Sequence, residues 1–90
     1  MLKTLEELIN LIRDRKKSSN EDSYTKKLLD DKKLSVAKVK EEIGELIEAV
    51  ENKSNTVHEA ADVFYHLVVY LEANNINIED VMVELEKRNK

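Results

Sequence analysis

The sequence contains no cysteine, no proline and no tryptophan, and a single glycine among its 90 residues. Without cysteine, the chain forms no disulfide and offers no thiolate to a metal. With so few turn-forming residues, a β-sandwich is very unfavourable and long helices are the natural expectation. Aromatic residues make up only 4% of the chain and its basic residues are scattered. This composition argues against a nucleic-acid-binding platform.

Long hydrophobic runs are also missing. The longest nearly uncharged run covers residues 63–71, well short of the ~20 residues that span a bilayer. The N-terminus is charged almost at once and carries no apolar signal-peptide core. We therefore expect a soluble, cytoplasmic protein without a membrane partner, folded as one domain over residues 1–90 with a modest core.

Charge is what the sequence has in abundance. Charged residues make up 38% of the chain, and the net charge is −4. Residues 1–40 contain 11 Lys/Arg and 7 Asp/Glu, whereas residues 41–90 contain 4 and 12. A basic half beside an acidic half suits a polyanionic ligand held partly by lysines and partly through cations, although two solvated surfaces would explain the asymmetry as well.

Apolar residues recur at helical spacing in five stretches. The pattern predicts helices over residues 2–17, 23–29, 35–52, 56–73 and 78–88, with caps at Asp22 or Ser23, at Ser35 and at Asn77. The fourth helix is apolar around nearly its whole circumference, and the third carries an apolar stripe that we expect to be buried: Val36, Val39, Ile43, Leu46, Ile47 and Val50. So small a monomer has little with which to cover them. We therefore expect an all-α helical bundle completed by homodimerisation.

Two acidic phrases organise the second half of the chain: Glu41-Glu42-Ile43-Gly44-Glu45 and Glu59-Ala60-Ala61-Asp62. Carboxylates three residues apart lie on one side of a helix, so two such helices can bring four acids together. Like charges that close repel, and one is driven to protonate unless a cation offsets them. All-oxygen ligands favour Mg²⁺ or Mn²⁺. The phrases predict a carboxylate-lined metal site that handles a phosphate ester.

Two of these acids also have an ordinary explanation. Lys38 is placed to pair with Glu42, and Glu59 matches a capping box if Thr56 caps its helix. Two histidines spaced with Asp62 on one helix are weak evidence for zinc, and His66 is better explained as a packed or substrate-facing residue. Gly44 in mid-helix suggests close approach by a neighbour.

Three phrases of the sequence carry a family resemblance: Ser23-Tyr24-Thr25-Lys26-Lys27-Leu28-Leu29, Lys38-Val39-Lys40-Glu41-Glu42-Ile43-Gly44-Glu45 and Glu59-Ala60-Ala61-Asp62-Val63-Phe64-Tyr65-His66-Leu67. They resemble phosphoribosyl-ATP pyrophosphohydrolase of histidine biosynthesis, within the MazG-like superfamily of all-α nucleotide pyrophosphohydrolases. The paired acids alone indicate only the superfamily. The Ser-Tyr-Thr phrase narrows the resemblance to the phosphoribosyl-ATP pyrophosphohydrolase family. The match covers nearly the whole chain.

The resemblance implies Mg²⁺-dependent hydrolysis of phosphoribosyl-ATP to phosphoribosyl-AMP and pyrophosphate, with Mn²⁺ as a possible substitute. It implies metal ligands and catalytic acids at Glu42, Glu45, Glu59 and Asp62, with Glu41 as a further catalytic acid nearby. On the substrate side it implies Ser23, Tyr24, Thr25, Lys27 and Lys38, to which His66 is added.

Two other functions compete with this one. The first is a MazG-type house-cleaning enzyme that hydrolyses free nucleoside triphosphates, and the Ser-Tyr-Thr-Lys-Lys phrase argues against it. The second is a non-catalytic helical dimerisation module whose acids are surface residues. The apolar surroundings expected for Asp62 argue against that module, because a buried acid is costly unless it is paired or bound to metal.

Overall fold

Five α-helices make up the computed structural model, which describes residues 2–18 and 23–89. They are α1 (Lys3–Lys17), α2 (Tyr24–Asp30), α3 (Lys32–Asn52), α4 (Thr56–Ala73) and α5 (Ile78–Arg88). No strand occurs in the described ranges, so the predicted all-α class is confirmed. Within the same ranges, no helix combines the length and the apolar character needed to cross a membrane. The predicted loop between α1 and α2, with its possible cap Asp22, falls mostly outside the described residues.

Short polar residues begin α2 and α3. The Ser23 hydroxyl accepts a hydrogen bond from the Lys26 amide at 3.3 Å, so the cap predicted at Ser23 is confirmed. Asp31 ends α2 and begins α3, where its carboxylate accepts from the Leu34 amide at 3.0 Å. The cap predicted at Ser35 is therefore wrong. The acid one turn earlier takes that role, and Ser35 lies inside the helix with 2% of its surface exposed.

A three-residue connection turns α3 back into α4. Lys53 and Asn55 both adopt the left-handed conformation, with φ of 56°, and the Ser54 amide donates to the Ala49 carbonyl at 3.0 Å. Such a connection produces two antiparallel, packed helices, here called the α3–α4 hairpin. Because Asn55 precedes the first helical residue Thr56, the capping box predicted for Glu59 does not form. The hairpin lays the second half of α3 beside the first half of α4.

An ion-pair network ties α1 to the α4–α5 turn. The Arg13 guanidinium donates to Glu79 at 2.7 and 2.9 Å and to the buried Glu72 at 3.1 Å. The left-handed residue Asn75, with φ of 59°, stands where glycine commonly ends a helix. Arg13 therefore joins three helices through two acids.

The apolar core lies where α1 and α2 pack on the second half of α4. Its buried members are Ile9, Ile12, Leu28, Leu29, Val68, Val69 and Ala73. These positions follow the predicted apolar periodicities of their helices. The core is therefore separate from the part of the hairpin that carries the acidic phrases.

Within the single chain, the apolar stripe predicted to be buried on α3 is only partly covered, because Val36, Val39 and Leu46 are half-buried and the other three residues are exposed. Ile43, Ile47 and Val50 are 44–58% exposed, and on α4 Val57 and Phe64 are 82% and 58% exposed. The reason is geometric, because α1 and α2 cover the second half of α4 and leave this part of the hairpin open. A Cβ atom built at Gly44 would meet nothing within 4 Å, so the close neighbour expected there is absent from the described part of the chain.

Candidate active site

The α3–α4 hairpin brings the acids of the two phrases together. One carboxylate oxygen from each of Glu42, Glu45 and Glu59 lies within 4.8 Å of the others. Glu59 belongs to a second group of the same size, with His58 and Asp62. We call Glu42, Glu45, Glu59 and Asp62 the acidic cluster. It spans both helices, as the spacing predicted, and the metal-ligand role of its members stays a prediction.

Two oxygens of the acidic cluster are buried without a hydrogen-bond partner. They are Oε2 of Glu42 and Oε2 of Glu59. Burial raises the pKa of Glu42, and the neighbouring Glu45 and Asp62 raise it further, while His66 lowers it. Burial also raises the pKa of Glu59, with Glu45 and Asp62 adding to the effect. Both acids are thus held where their charged forms are disfavoured.

This donor set fits a hard divalent cation. Buried polar atoms in proteins are normally partnered, so two orphaned carboxylate oxygens on facing helices require an explanation. A cation bound between them would offset both the repulsion and the desolvation, and oxygen donors suit Mg²⁺ or Mn²⁺. Asp62 is less enclosed than expected, because 37% of its side chain is exposed. Its Oδ2 lies 3.4 Å from Nε2 of His58. The buried oxygens of Glu42 and Glu59, rather than Asp62, are therefore what favours a cation here.

The predicted substrate residues lie at the start of α2 and along α3. Ser23 caps α2, and Tyr24 is 47% exposed, while Lys27 lies on the exposed side of the helix. Thr25 is buried, and its hydroxyl contacts the hydroxyl of Tyr65. The structure therefore offers Tyr24 and Lys27 to solvent but engages Thr25 inside the protein. The substrate-binding roles of these residues and of His66 stay predictions.

Lys38 and Glu41 form an ion pair one turn apart on α3. The Lys38 ammonium donates to the Glu41 carboxylate at 3.0 Å, whereas the sequence suggested Glu42 as its partner. This hydrogen bond raises the pKa of Lys38. Burial raises the pKa of the Tyr24 hydroxyl, and the charge of Lys38 opposes that effect. Lys38 thus interacts electrostatically with both Glu41 and the exposed Tyr24.

His66 is buried, and both of its ring nitrogens are engaged. Nδ1 lies 2.8 Å from the Asp62 carbonyl oxygen, and Nε2 lies 3.0 Å from the Tyr24 hydroxyl. Of its two predicted roles, packed or substrate-facing, the geometry matches the first. Sequence reasoning assigned no role to Tyr65, which contacts both Tyr24 and Thr25. The sequence feature that could have indicated a role for Tyr65 is its position next to His66 and three residues after Asp62.

The acidic cluster pairs carboxylates on two packed helices, and the hydroxyl groups of Ser23, Tyr24 and Thr25 mark the start of α2. This arrangement is the one expected of a MazG-like, all-α nucleotide pyrophosphohydrolase. The model of the phosphoribosyl-ATP pyrophosphohydrolase family matches residues 5–89. The chain belongs to that family. The predicted resemblance is confirmed, and with it the prediction that the chain is a hydrolase.

Relatives of known name agree with this assignment. The chain is 43% identical over 91 residues to a phosphoribosyl-ATP pyrophosphatase of Clostridium novyi, covering 96% of this chain and 81% of that protein. It is 44% identical, with the same coverage, to a phosphoribosyl-ATP pyrophosphatase of Clostridium acetobutylicum. A histidine biosynthesis bifunctional protein of Thermotoga maritima is 42% identical over 92 residues, covering 93% of this chain and 44% of that protein.

Proposed function

We propose that this chain is a soluble cytoplasmic enzyme that hydrolyses phosphoribosyl-ATP to phosphoribosyl-AMP and pyrophosphate in histidine biosynthesis, with Mg²⁺ as its cofactor and Mn²⁺ as a possible substitute. One observation carries the metal-dependent chemistry, namely the buried and unpartnered oxygens of Glu42 and Glu59 on facing helices. The family and the names of the relatives support the substrate.

The acidic cluster would hold the cation. Glu42, Glu45 and Glu59 each place one oxygen within 4.8 Å of the others, and Asp62 extends this group along α4. When bound, such an ion neutralises charge on phosphate oxygens and activates water. The reaction adds water across a phosphoanhydride bond, so it needs no covalent nucleophile. The missing cysteine is no obstacle to it.

The start of α2 and the lysines of α2 and α3 would hold the substrate. Tyr24, Lys27 and Lys38 present a hydroxyl and two ammonium groups, which suit the oxygens of a polyphosphate. Glu41 is exposed and accepts a hydrogen bond from Lys38. We assign Glu41 to holding Lys38 in place.

A pyrophosphate-release assay tests the proposal. The chain is incubated with phosphoribosyl-ATP or with ordinary dNTPs, each with Mg²⁺ and with excess chelator. We expect turnover of phosphoribosyl-ATP that chelator abolishes. Glu45→Gln should lose activity by at least about 100-fold, the scale of removing a charged group that stabilises the transition state. Glu48→Gln, an exposed change on the same helix, should keep it. Turnover of dNTPs alone would favour the house-cleaning function, and turnover of neither would favour the non-catalytic module.

We further propose that the open face of the α3–α4 hairpin is covered by a second copy of the chain. The face comprises Ile43, Ile47 and Val50 of α3 with Val57, Phe64 and Leu67 of α4, all at least 41% exposed. Large apolar side chains exposed together on two packed helices are unfavourable in water and indicate an interaction site. A second copy would also bring a neighbour to the open space at Gly44.

Sedimentation analysis with one matched pair of variants tests the dimer. Ile47→Glu would place a charge on the open face, whereas Leu11→Glu changes a residue of similar exposure on α1. We expect the unaltered chain and Leu11→Glu to sediment as dimers and Ile47→Glu as a monomer. A monomeric unaltered chain at micromolar concentration would contradict the proposal.

A further inference from the structure

Two consecutive residues of α4 contact two consecutive residues at the start of α2. The Tyr65 hydroxyl bonds the Thr25 hydroxyl, and His66 Nε2 lies 3.0 Å from the Tyr24 hydroxyl. The Tyr65 ring also stacks on Tyr24, with centroids 6.4 Å apart and planes 15° apart. These contacts form a compact group of one histidine, one threonine and two tyrosines.

The hydrogen bonds of His66 have a defined direction. The Asp62 carbonyl oxygen can only accept, so Nδ1 at 2.8 Å must carry the proton and donate. In the neutral ring Nε2 is then an acceptor, and the Tyr24 hydroxyl donates to it. His66 therefore links the backbone of Asp62, a member of the acidic cluster, to the exposed side chain of Tyr24.

Packing alone does not require this polar group. The apolar residues Leu28 and Leu29 already anchor α2 in the core. Tyr65 and His66 act at the other end of α2, where Ser23 caps the helix and Tyr24 reaches solvent. Directional hydrogen bonds fix an orientation that apolar contacts leave adjustable.

We propose that Tyr65 and His66 are positioning residues, which fix the start of α2 against α4 and thereby set its separation from the acidic cluster. The proposal rests on the function proposed above, in which the start of α2 binds the phosphate-bearing substrate. One turn of α4 then supplies both a carboxylate, at Asp62, and the anchor for the substrate-binding segment.

Steady-state kinetics test the proposal with a mild variant. Tyr65→Phe removes one hydroxyl and keeps the stacked ring. Tyr70→Phe is its matched control on the same helix, since within the described residues no hydrogen bond or ring contact joins the Tyr70 side chain to α2. We expect Tyr65→Phe to raise KM for phosphoribosyl-ATP about 3- to 10-fold, the scale of one hydrogen bond, with kcat changed less than about 2-fold. The control should match the unaltered enzyme. An unchanged KM in Tyr65→Phe would overturn the proposal.

A second variant examines the histidine. His66→Gln keeps a polar group near the position of Nε2, whereas His66→Phe keeps only the volume of the ring. We expect KM to rise less in the glutamine variant than in the phenylalanine variant. Equal effects would show that only packing matters at this position, and the proposal would fail for His66.

Two measurements without substrate separate this proposal from the proposed function. In Tyr65→Phe, amide hydrogen exchange across residues 23–27 should accelerate about 3- to 10-fold, and exchange in α3 should not change. Binding of Mn²⁺ alone, followed by electron paramagnetic resonance, should also stay within about 2-fold. Unchanged exchange, or lost Mn²⁺ binding, would overturn the positioning role even in an active enzyme. An inactive unaltered chain whose Tyr65→Phe variant shows the expected exchange would refute the proposed function alone.

Discussion

Replacing Glu42 with Gln should stabilise the metal-free protein and abolish its stabilisation by Mg²⁺. Glu42 is 9% exposed and has one buried oxygen without a partner. The variant keeps the shape of the side chain and removes its charge. A stabilising change at a proposed catalytic residue is the opposite of what an ordinary structural carboxylate would give.

The magnitude follows from the burial of that carboxylate. An unsatisfied buried polar group costs about 1–3 kcal/mol, and a charged one more than a neutral amide. Because the glutamine amide still needs partners, we expect a net gain of about 1–2 kcal/mol. In a domain of this size, that gain raises the melting temperature by roughly 5–15 °C. Mg²⁺ at 100 times its dissociation constant would stabilise the unaltered chain by about 2.7 kcal/mol. The order of stability should therefore reverse when Mg²⁺ is added.

Thermal unfolding followed by circular dichroism, at fixed chain concentration and ionic strength, provides the measurement. Glu48→Gln serves as the control, because it removes an exposed carboxylate from the same helix, and its melting temperature should change little. The pH dependence gives a second check. Burial raises the pKa of Glu42 in the folded state, so the unaltered chain loses stability as the pH rises through that value. The advantage of Glu42→Gln should therefore shrink as the pH falls.

Two results would refute this reasoning. If Glu42→Gln melted below the unaltered chain without metal, the carboxylate would have a partner that the structure does not show. If the variant kept the full response to Mg²⁺, the cation would bind elsewhere.

Three further predictions concern other parts of the chain. Arg13 lowers the pKa of Glu79 from its ordinary value of 4.5 to about 2. The stability from this pair is therefore present above about pH 4.5 and lost as the pH falls toward 2. The difference in denaturant midpoint between the unaltered chain and Glu79→Gln should vanish over that range, and a constant difference would contradict the assignment. Gly44→Ala should stabilise the monomeric Ile47→Glu variant by about 0.5–1 kcal/mol in urea unfolding, because the site is helical and open; a loss would show a hidden contact. Asp62→Asn should abolish pyrophosphate release but leave helicity and sedimentation unchanged, and turnover at the unaltered rate would remove Asp62 from the site.

The helices could be predicted closely from the sequence because their signals are local. Apolar periodicity placed α4 at Thr56–Ala73, and the structure has the same bounds. The start of α3 was misplaced because two residues one turn apart, Asp31 and Ser35, are both good caps. The structure uses Asp31 as the cap, because it is the single residue that separates α2 from α3. The sequence alone does not show that the two helices lie this close along the chain.

The acids of the candidate site could be predicted for the same reason, and the residues around them could not. Spacing within one helix puts Glu42 near Glu45, and a short connection then brings Glu59 beside them. The contacts of Tyr65 and His66 join residues 40 and 42 positions apart. Such pairs depend on how α2 docks against α4, and no periodicity in the sequence encodes that docking.

The α3–α4 hairpin differs from the core in what it leaves uncovered. Where α1 and α2 pack on the second half of α4, the apolar core residues are buried and Glu72 is paired with Arg13. On the hairpin, by contrast, apolar residues are exposed on one side and carboxylate oxygens lack partners on another. An apolar partner surface would cover the exposed apolar residues, and a cation would bind the unpartnered carboxylate oxygens. Neither of them could do both. The incomplete burial of the α3 stripe falls on this hairpin, where the proposed second copy would cover it.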